Sequence, residues 1–147
     1  MTNLEIATRF SEFLEGRDLA GLQTMLADGF TAKGPTMEIN KEQTLVYLQV
    51  LFTAIPDYRF GLTNFQEEGE VVRCTTHESG IHQGVLDLKA LGLPVSVPPT
   101  GKSFQLPSST LTIRVVNGKV AYFGEEAVPG GGLAGMLEQL GVRLPGR

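Results

Sequence analysis

Acid–base chemistry in this chain has to come mainly from carboxylates, because the only histidines are His77 and His82 and the only cysteine is Cys74. Glu125 is the leading candidate. On a two-residue strand period it shares a face with Phe123 and Ala121. If that face is concave, desolvation raises the carboxyl's pKa and makes it a better base toward an acidic C–H. Its neighbour Glu126 leaves a second reading open, a solvated strand end. His82 is the other catalytic candidate, since an imidazole near a carboxylate relays a proton or polarises a carbonyl. A structural histidine bonded to backbone accounts for the same residue. Cys74, Thr76 and Glu78 share the parity of His82, so one face of their strand is polar enough to line a pocket. An ordinary half-exposed sheet gives the same pattern. Tyr47, Tyr58 and Tyr122 offer hydroxyls to an enolate oxygen or, alternatively, aromatic packing.

Other chemistries find less support. His77 lies an odd number of residues from His82 and falls on the opposite face, which argues against a paired-histidine metal site, and no ligand string is clustered elsewhere. Cys74 sits in a strand pattern and reads as a small buried hydrophobe. Gly130-Gly131-Gly132 lacks the spacing and the Lys-Ser/Thr of a phosphate cradle and reads as a flexible loop. No metal and no cofactor is therefore expected. The 147 residues carry 12 Lys and Arg against 16 Asp and Glu, a net charge of −4, with the basic residues scattered singly. Nucleic acid is not an expected partner. The longest apolar stretch, Leu45 to Ile55, is broken by Gln49 and Thr53 and is far short of the ~20 residues that span a bilayer. A start without a basic and apolar leader, together with a lone cysteine, points to a cytoplasmic protein with no membrane partner.

These side chains need a scaffold, and the chain reads as one domain over residues 1–147. The apolar spacing of Leu4, Ile6, Ala7, Phe10, Phe13 and Leu14 predicts a first helix ended by Gly16. Asp18 caps a second, with Leu19, Leu22, Met25 and Leu26 on its stripe. Gly34-Pro35 breaks the chain, and Asn40 caps a third helix bearing Thr44, Leu48, Leu51 and Phe52, which Pro56-Asp57 stops. Strands are expected after these helices: Tyr58 to Phe65, Val71 to His82, Ser103 to Val116 and Lys119 to Ala127. Asn117-Gly118 supplies the positive-φ pair of a type I′ hairpin turn. Leu86 to Pro99, interrupted by Gly92, Pro94 and Pro98-Pro99, reads as a packed loop. Leu133 to Leu140 suits a short C-terminal helix. The class is α+β: three N-terminal helices packed on a curved, largely antiparallel sheet.

The order of elements and five strings resemble the SnoaL-like polyketide cyclases of the nuclear transport factor 2-like superfamily. The strings are Ile55-Pro56-Asp57-Tyr58-Arg59-Phe60, Gly80-Ile81-His82-Gln83-Gly84, Pro98-Pro99-Thr100-Gly101-Lys102, Asn117-Gly118-Lys119-Val120 and Gln139-Leu140-Gly141. The resemblance implies a cone-shaped fold whose open end holds a small hydrophobic molecule, and a homodimer built on the open sheet. It also implies a pocket carboxylate at Glu125 and a role for His82, which matches the Gly-x-His-x-Gly string. Where these cyclases favour Glu-His-Trp-Asp, this chain has Tyr122-Phe123-Gly124-Glu125, and its 85–97 segment is longer than the usual link. The ketosteroid isomerase aspartate position falls on Gly34 before Pro35, which lowers that reading, and no Asp-Arg-Asp set suited to epoxide hydrolysis can be placed.

Two functions follow. One is a cofactor-free cyclase or isomerase in which Glu125, helped by His82, removes a proton alpha to a carbonyl of a polyketide-like substrate, with Phe123, Thr76, Glu78, Phe52 and Met25 lining the site. The other is a non-catalytic binding or dimerisation module on the same fold.

Overall fold

The computed structural model describes residues 1–34 and 38–142; Pro35 of the expected Gly34-Pro35 break lies outside them. Helix α1 (Asn3–Glu15) opens with a capping box, in which the Thr2 side chain accepts from Glu5 N–H while Glu5 accepts from Thr2 N–H. Such caps contribute about 1 kcal/mol. Its buried stripe is Ile6, Ala7, Phe10 and Leu14, close to the periodicity read from sequence. In α2 (Leu19–Met25) Asp18 accepts from Gly21 N–H at 2.8 Å. A second capping box, Asn40 with Gln43, starts α3 (Lys41–Ala54).

Strands do not wait for the helices to finish. Leu26, expected on the second helix, instead starts β1 (Leu26–Lys33), and β2 (Glu38–Asn40) precedes α3. Leu26, Phe30 and Ala32 are buried. The strand is stabilised by parallel pairing with β10 (Lys119–Glu125), close to the other end of the chain. This tertiary partner overrides the helical reading of Leu26, and Asp28-Gly29 gives a helix little reason to continue.

Three further strands are β3 (Thr63–Glu68), β4 (Val71–Thr75) and β9 (Thr110–Val116). The main sheet runs β2-β1-β10-β9-β4-β3, antiparallel except at β1 and β10. Between β9 and β10, Asn117 and Gly118 have φ of 51° and 76°, the turn that their sequence demands. The two longest expected strands are each divided. Val71–His82 splits into β4 and β5 (Ser79–Ile81), and Ser103–Val116 into β8 (Ser103–Gln105) and β9. Strands β5 and β8 form a separate two-stranded sheet. The breaks face each other. Thr76 N–H donates to the Ser109 carbonyl at 2.9 Å, and Ser109 N–H donates to Thr76 Oγ1 at 3.0 Å, so the backbone groups freed there stay paired. Pro107, which has no N–H to give a ladder, sits beside the break.

Two other expectations are adjusted. In 58–65 only Arg59 forms a bridge, to Ser79, before β3 begins at Thr63, because Gly61 (φ 59°) turns the chain, and Asn64 (φ 56°) sits where the β3 pairing shifts register. The 85–97 segment is mostly loop, as expected, but it contains the short pair β6 (Leu86–Asp87) and β7 (Ser96–Val97) around a 3-10 turn at Leu88–Leu91. It packs on α3 through buried Leu86 and Leu88. The C-terminal helix α4 covers Gly132–Gln139. Helix α1 lies across β3, β4, β9 and β10, and α3 lies beside β1, which leaves a space between the helices and the sheet.

Candidate functional site

That space is a cavity of about 120 Å³. Phe10, Leu14, Leu22, Phe30, Leu48 and Leu51 are among its apolar walls. Phe10 meets Phe123 edge to face, with ring centroids 5.6 Å apart. Two carboxyl side chains line this apolar space, Glu78 and Glu125, close enough for each to perturb the ionisation of the other. Thr44, Tyr47, Tyr58 and Lys33 complete the polar lining.

Each carboxyl is placed by backbone pairing. Glu78 lies between β4 and β5. Its carbonyl accepts from Leu106 N–H at 2.9 Å, while His77 N–H donates to Phe60 O and Ser79 N–H donates to Arg59 O on either side. Glu125 ends β10, opposite Leu111. A bulge in β10 between Val120 and Tyr122 changes the expected parity there. Phe123 and Glu125 face the cavity together, as expected, whereas Ala121 belongs to a groove outside it. Tyr58 is 5% exposed and packs on Phe60 and Phe104. Its segment is tied to the end of α1: Arg17 Nη2 donates to the Tyr58 carbonyl at 2.8 Å, and Phe60 N–H donates to Glu15 Oε1 at 2.7 Å.

The electrostatics follow from burial. Glu78 is 6% exposed. Loss of water, then the nearby charge of Glu125, push its pKa well above the usual carboxylate range. Glu125 is half-buried; desolvation raises its pKa too, while the neighbouring Glu78 carboxyl works in the opposite sense. Glu78, the more buried of the two, thus favours its protonated form, and Glu125 is the one that ionises more readily. Burial, then the nearby charge of Glu78, raises the pKa of Tyr58 and of Tyr47, so both stay protonated donors. The arrangement is a neutral acid beside a carboxylate, with phenol hydroxyls next to them. Like charges at this range cannot both ionise easily, and sharing one proton relieves the conflict. Among the described residues no three His, Cys, Asp or Glu side chains come together as a metal site.

Comparison with known proteins gives this geometry a context. The sequence pattern of the SnoaL-like polyketide cyclases matches residues 4–122. The chain belongs to the SnoaL-like polyketide cyclase family. AclR, a candidate hydroxylase from Streptomyces galilaeus, superposes with a TM-score of 0.73 at 18% identity, over 99% of this chain and 83% of that one. IdmH, a candidate polyketide cyclase from Streptomyces antibioticus, gives 0.71 at 20% identity, over 97% and 100%. A SnoaL-like protein from Jannaschia sp. CCS1 gives 0.70 at 20% identity, over 96% and 93%. At these identities the likeness shows the fold alone, the α+β cone of SnoaL-like and NTF2-like proteins. No functionally curated protein matches the chain by sequence. Among the described residues no helix is long and apolar enough to cross a membrane.

Within this SnoaL-like fold the residues singled out from sequence go to different places. Glu125, Glu78 and Phe123 line the cavity together. His82 does not. It is fully buried beyond β5, where Nδ1 accepts from Thr100 N–H at 3.2 Å and lies 3.0 Å from Thr100 Oγ1. With Nδ1 accepting, the proton sits on Nε2, which is buried without a hydrogen-bond partner. Burial holds His82 below the ordinary histidine range, partly offset by the Gly84 backbone. Two of the strings behind the resemblance meet here: His82 N–H donates to Lys102 O and Gly101 N–H donates to His82 O, both at 2.9 Å. The glycines of the first string answer to space, since a Cβ on Gly84 would strike the Thr53 carbonyl and one on Gly80 the Ile55 side chain. Gln83 and Gly84 N–H groups both donate to Ala54 O, closing the end of α3.

Thr76 is buried but spends its hydroxyl on Ser109 at the paired strand breaks. Phe52 packs edge to face on Phe60, with the Arg17 guanidinium over its ring, and is not on the cavity lining. Met25 belongs to a surface depression beside α1. Cys74 is buried, its thiol pushed up to about 12, and is inert as a nucleophile. Tyr122 lies on the other face of the sheet, in a groove with Arg73 and Gly124. The sequence offered Tyr47 and Tyr58 only as generic donors. Their proximity to Glu78 depends on how the 55–60 segment and α3 fold toward the strand break, for which no local pattern exists.

Proposed function

We propose that the protein is a cofactor-free enzyme of the cyclase or isomerase type, acting on an enolisable carbonyl of a small hydrophobic substrate. The observation that carries this reading is the placing of two carboxyls, Glu78 and Glu125, side by side on the lining of one apolar cavity. Glu125, ionised and raised in basicity by desolvation, removes a proton from the carbon alpha to the carbonyl. The C–H electron pair becomes the new C=C bond, and the carbonyl π pair moves to oxygen. Glu78, which holds its own proton, and the Tyr58 hydroxyl are the donors available to that oxygen, acting in a site from which water is largely excluded. The proton on Glu125 then returns, either to another carbon, which completes an isomerisation, or to the alkoxide formed when the enolate carbon attacks a second carbonyl and closes a ring. Both routes balance with proton transfers alone.

The test is hydrogen exchange at carbon. Cyclohexanone in D2O with the wild-type protein should gain deuterium alpha to the carbonyl faster than buffer catalyses it, and Glu125→Gln should lose about 10³-fold of that enhancement. Equal exchange rates for wild type and variant would contradict the reading and favour a binding module.

A further inference from the structure

The cavity walls say how large a substrate the pair can serve. We infer that the site takes a neutral, single-ring carbonyl compound and that the Phe10–Phe123 pair sets this size limit. The inference rests on the acid–base reading of Glu78 and Glu125 for its chemistry, but its size argument stands on the walls alone.

The volume is about 120 Å³. An apolar cavity of about 150 Å³ holds one benzene ring, so this somewhat smaller space is filled by at most a single six-membered ring. The walls that close it come from both layers. Leu22, Phe30 and Leu48 are buried and lie on α2, β1 and α3, packed into the main core, where repacking to admit a larger ligand displaces many neighbours. Phe123 differs. It is only partly buried, and it stands on the same strand as Glu125, two residues away on the same face. Its ring meets buried Phe10 edge to face and limits the space around the carboxyl pair.

Charge sets the second half of the inference. Two carboxyls share one apolar lining, where their proximity lets only one ionise readily, the less buried Glu125. An anionic ligand head would be repelled and would leave its own charge poorly solvated among leucines and phenylalanines. A carbonyl or enol oxygen, by contrast, finds donors in Glu78 and Tyr58. The one basic side chain on the described lining, Lys33, is exposed at the end of β1 rather than inside.

Planar phenols imitate the enol and do not react, so phenol, 2-naphthol and 2-phenanthrol form a one-, two- and three-ring series for titration by calorimetry or ligand-observed NMR. Wild type should bind phenol about tenfold or more tightly than 2-naphthol, and bind 2-phenanthrol least. Phe123→Ala should shift the preference toward 2-naphthol by about tenfold, with Phe123→Leu between the two. Benzoate, a single ring with a charge, should bind more weakly than phenol. Wild-type binding of 2-phenanthrol as tight as phenol, tighter binding of benzoate, or no binding of any of the series would overturn the inference. If the phenols follow the size order while cyclohexanone shows no catalysed exchange, the size limit stands and the acid–base reading fails. If exchange is catalysed but 2-tetralone is processed faster than cyclohexanone, the acid–base reading stands and the size limit fails.

Discussion

Glu78 and Glu125 come together on the lining of one cavity, the first from the break between β4 and β5 and the second from the end of β10. The division of labour follows from depth. The deeper Glu78 holds the proton and the shallower Glu125 carries the charge, so one acid and one base arise from two identical side chains.

This pairing costs stability in a pH-dependent way. The folded pKa of Glu78 is raised, so its favourable contribution is complete below the unfolded value and is lost as pH rises through the folded one. Glu78→Gln removes the titration and keeps a polar side chain that can donate to Glu125. It should unfold at a higher temperature than wild type at pH 8, by on the order of 1 kcal/mol, with the advantage shrinking toward pH 4. Thermal unfolding across that range checks the sign; a variant less stable at pH 8 than at pH 4, relative to wild type, goes against it.

Tyr58→Phe removes one hydroxyl and keeps the ring that packs on Phe60 and Phe104. Catalysed α-deuteration of cyclohexanone should fall about a hundredfold, mostly in kcat, with KM little changed. Stability should fall by only about 1 kcal/mol. A full loss of rate with an equally large rise in KM would assign Tyr58 to binding instead.

His82 should behave as a structural residue. His82→Phe deprives Thr100 N–H of its acceptor and should cost about 1–3 kcal/mol. Amide exchange should quicken around Thr100 to Lys102, where His82 is bonded. Because burial lowers the folded pKa of His82, the wild type should lose stability from this group as pH falls below about 6.5, and the variant should not show that loss. The pH profile of α-deuteration should be the same in both. A displaced profile would place His82 in the chemistry after all.

How far the sequence reaches is clearest at particular positions. The helices were legible because periodicity and caps are local: Asp18 caps through Gly21 and Asn40 through Gln43, each three residues on. The Asn117-Gly118 turn was legible for the same reason. Strand β1 was not, since its partner β10 is at the far end of the chain and Leu26 fits a helical stripe equally well. The alternation through Cys74, Thr76, Glu78 and His82 held as a buried face. It carried no sign that Thr76 would turn the chain into a second sheet, which delivers Glu78 to the cavity and takes His82 away from it. The resemblance singled out Glu125 as the carboxylate, but a one-dimensional pattern cannot show that a second carboxyl folds against it.

The measurement that bears most directly on the paired carboxyls is a carbon-13 NMR titration of glutamate-labelled protein, with Glu78→Gln and Glu125→Gln used to assign the two resonances. Both carboxyls should titrate above the ordinary value of about 4.3, Glu78 the higher of the two, and Glu78 should titrate lower in Glu125→Gln because the neighbouring charge is gone. Two independent titrations near 4.3, each unchanged when the other residue is substituted, would contradict a shared proton and remove the basis for acid–base chemistry at this site.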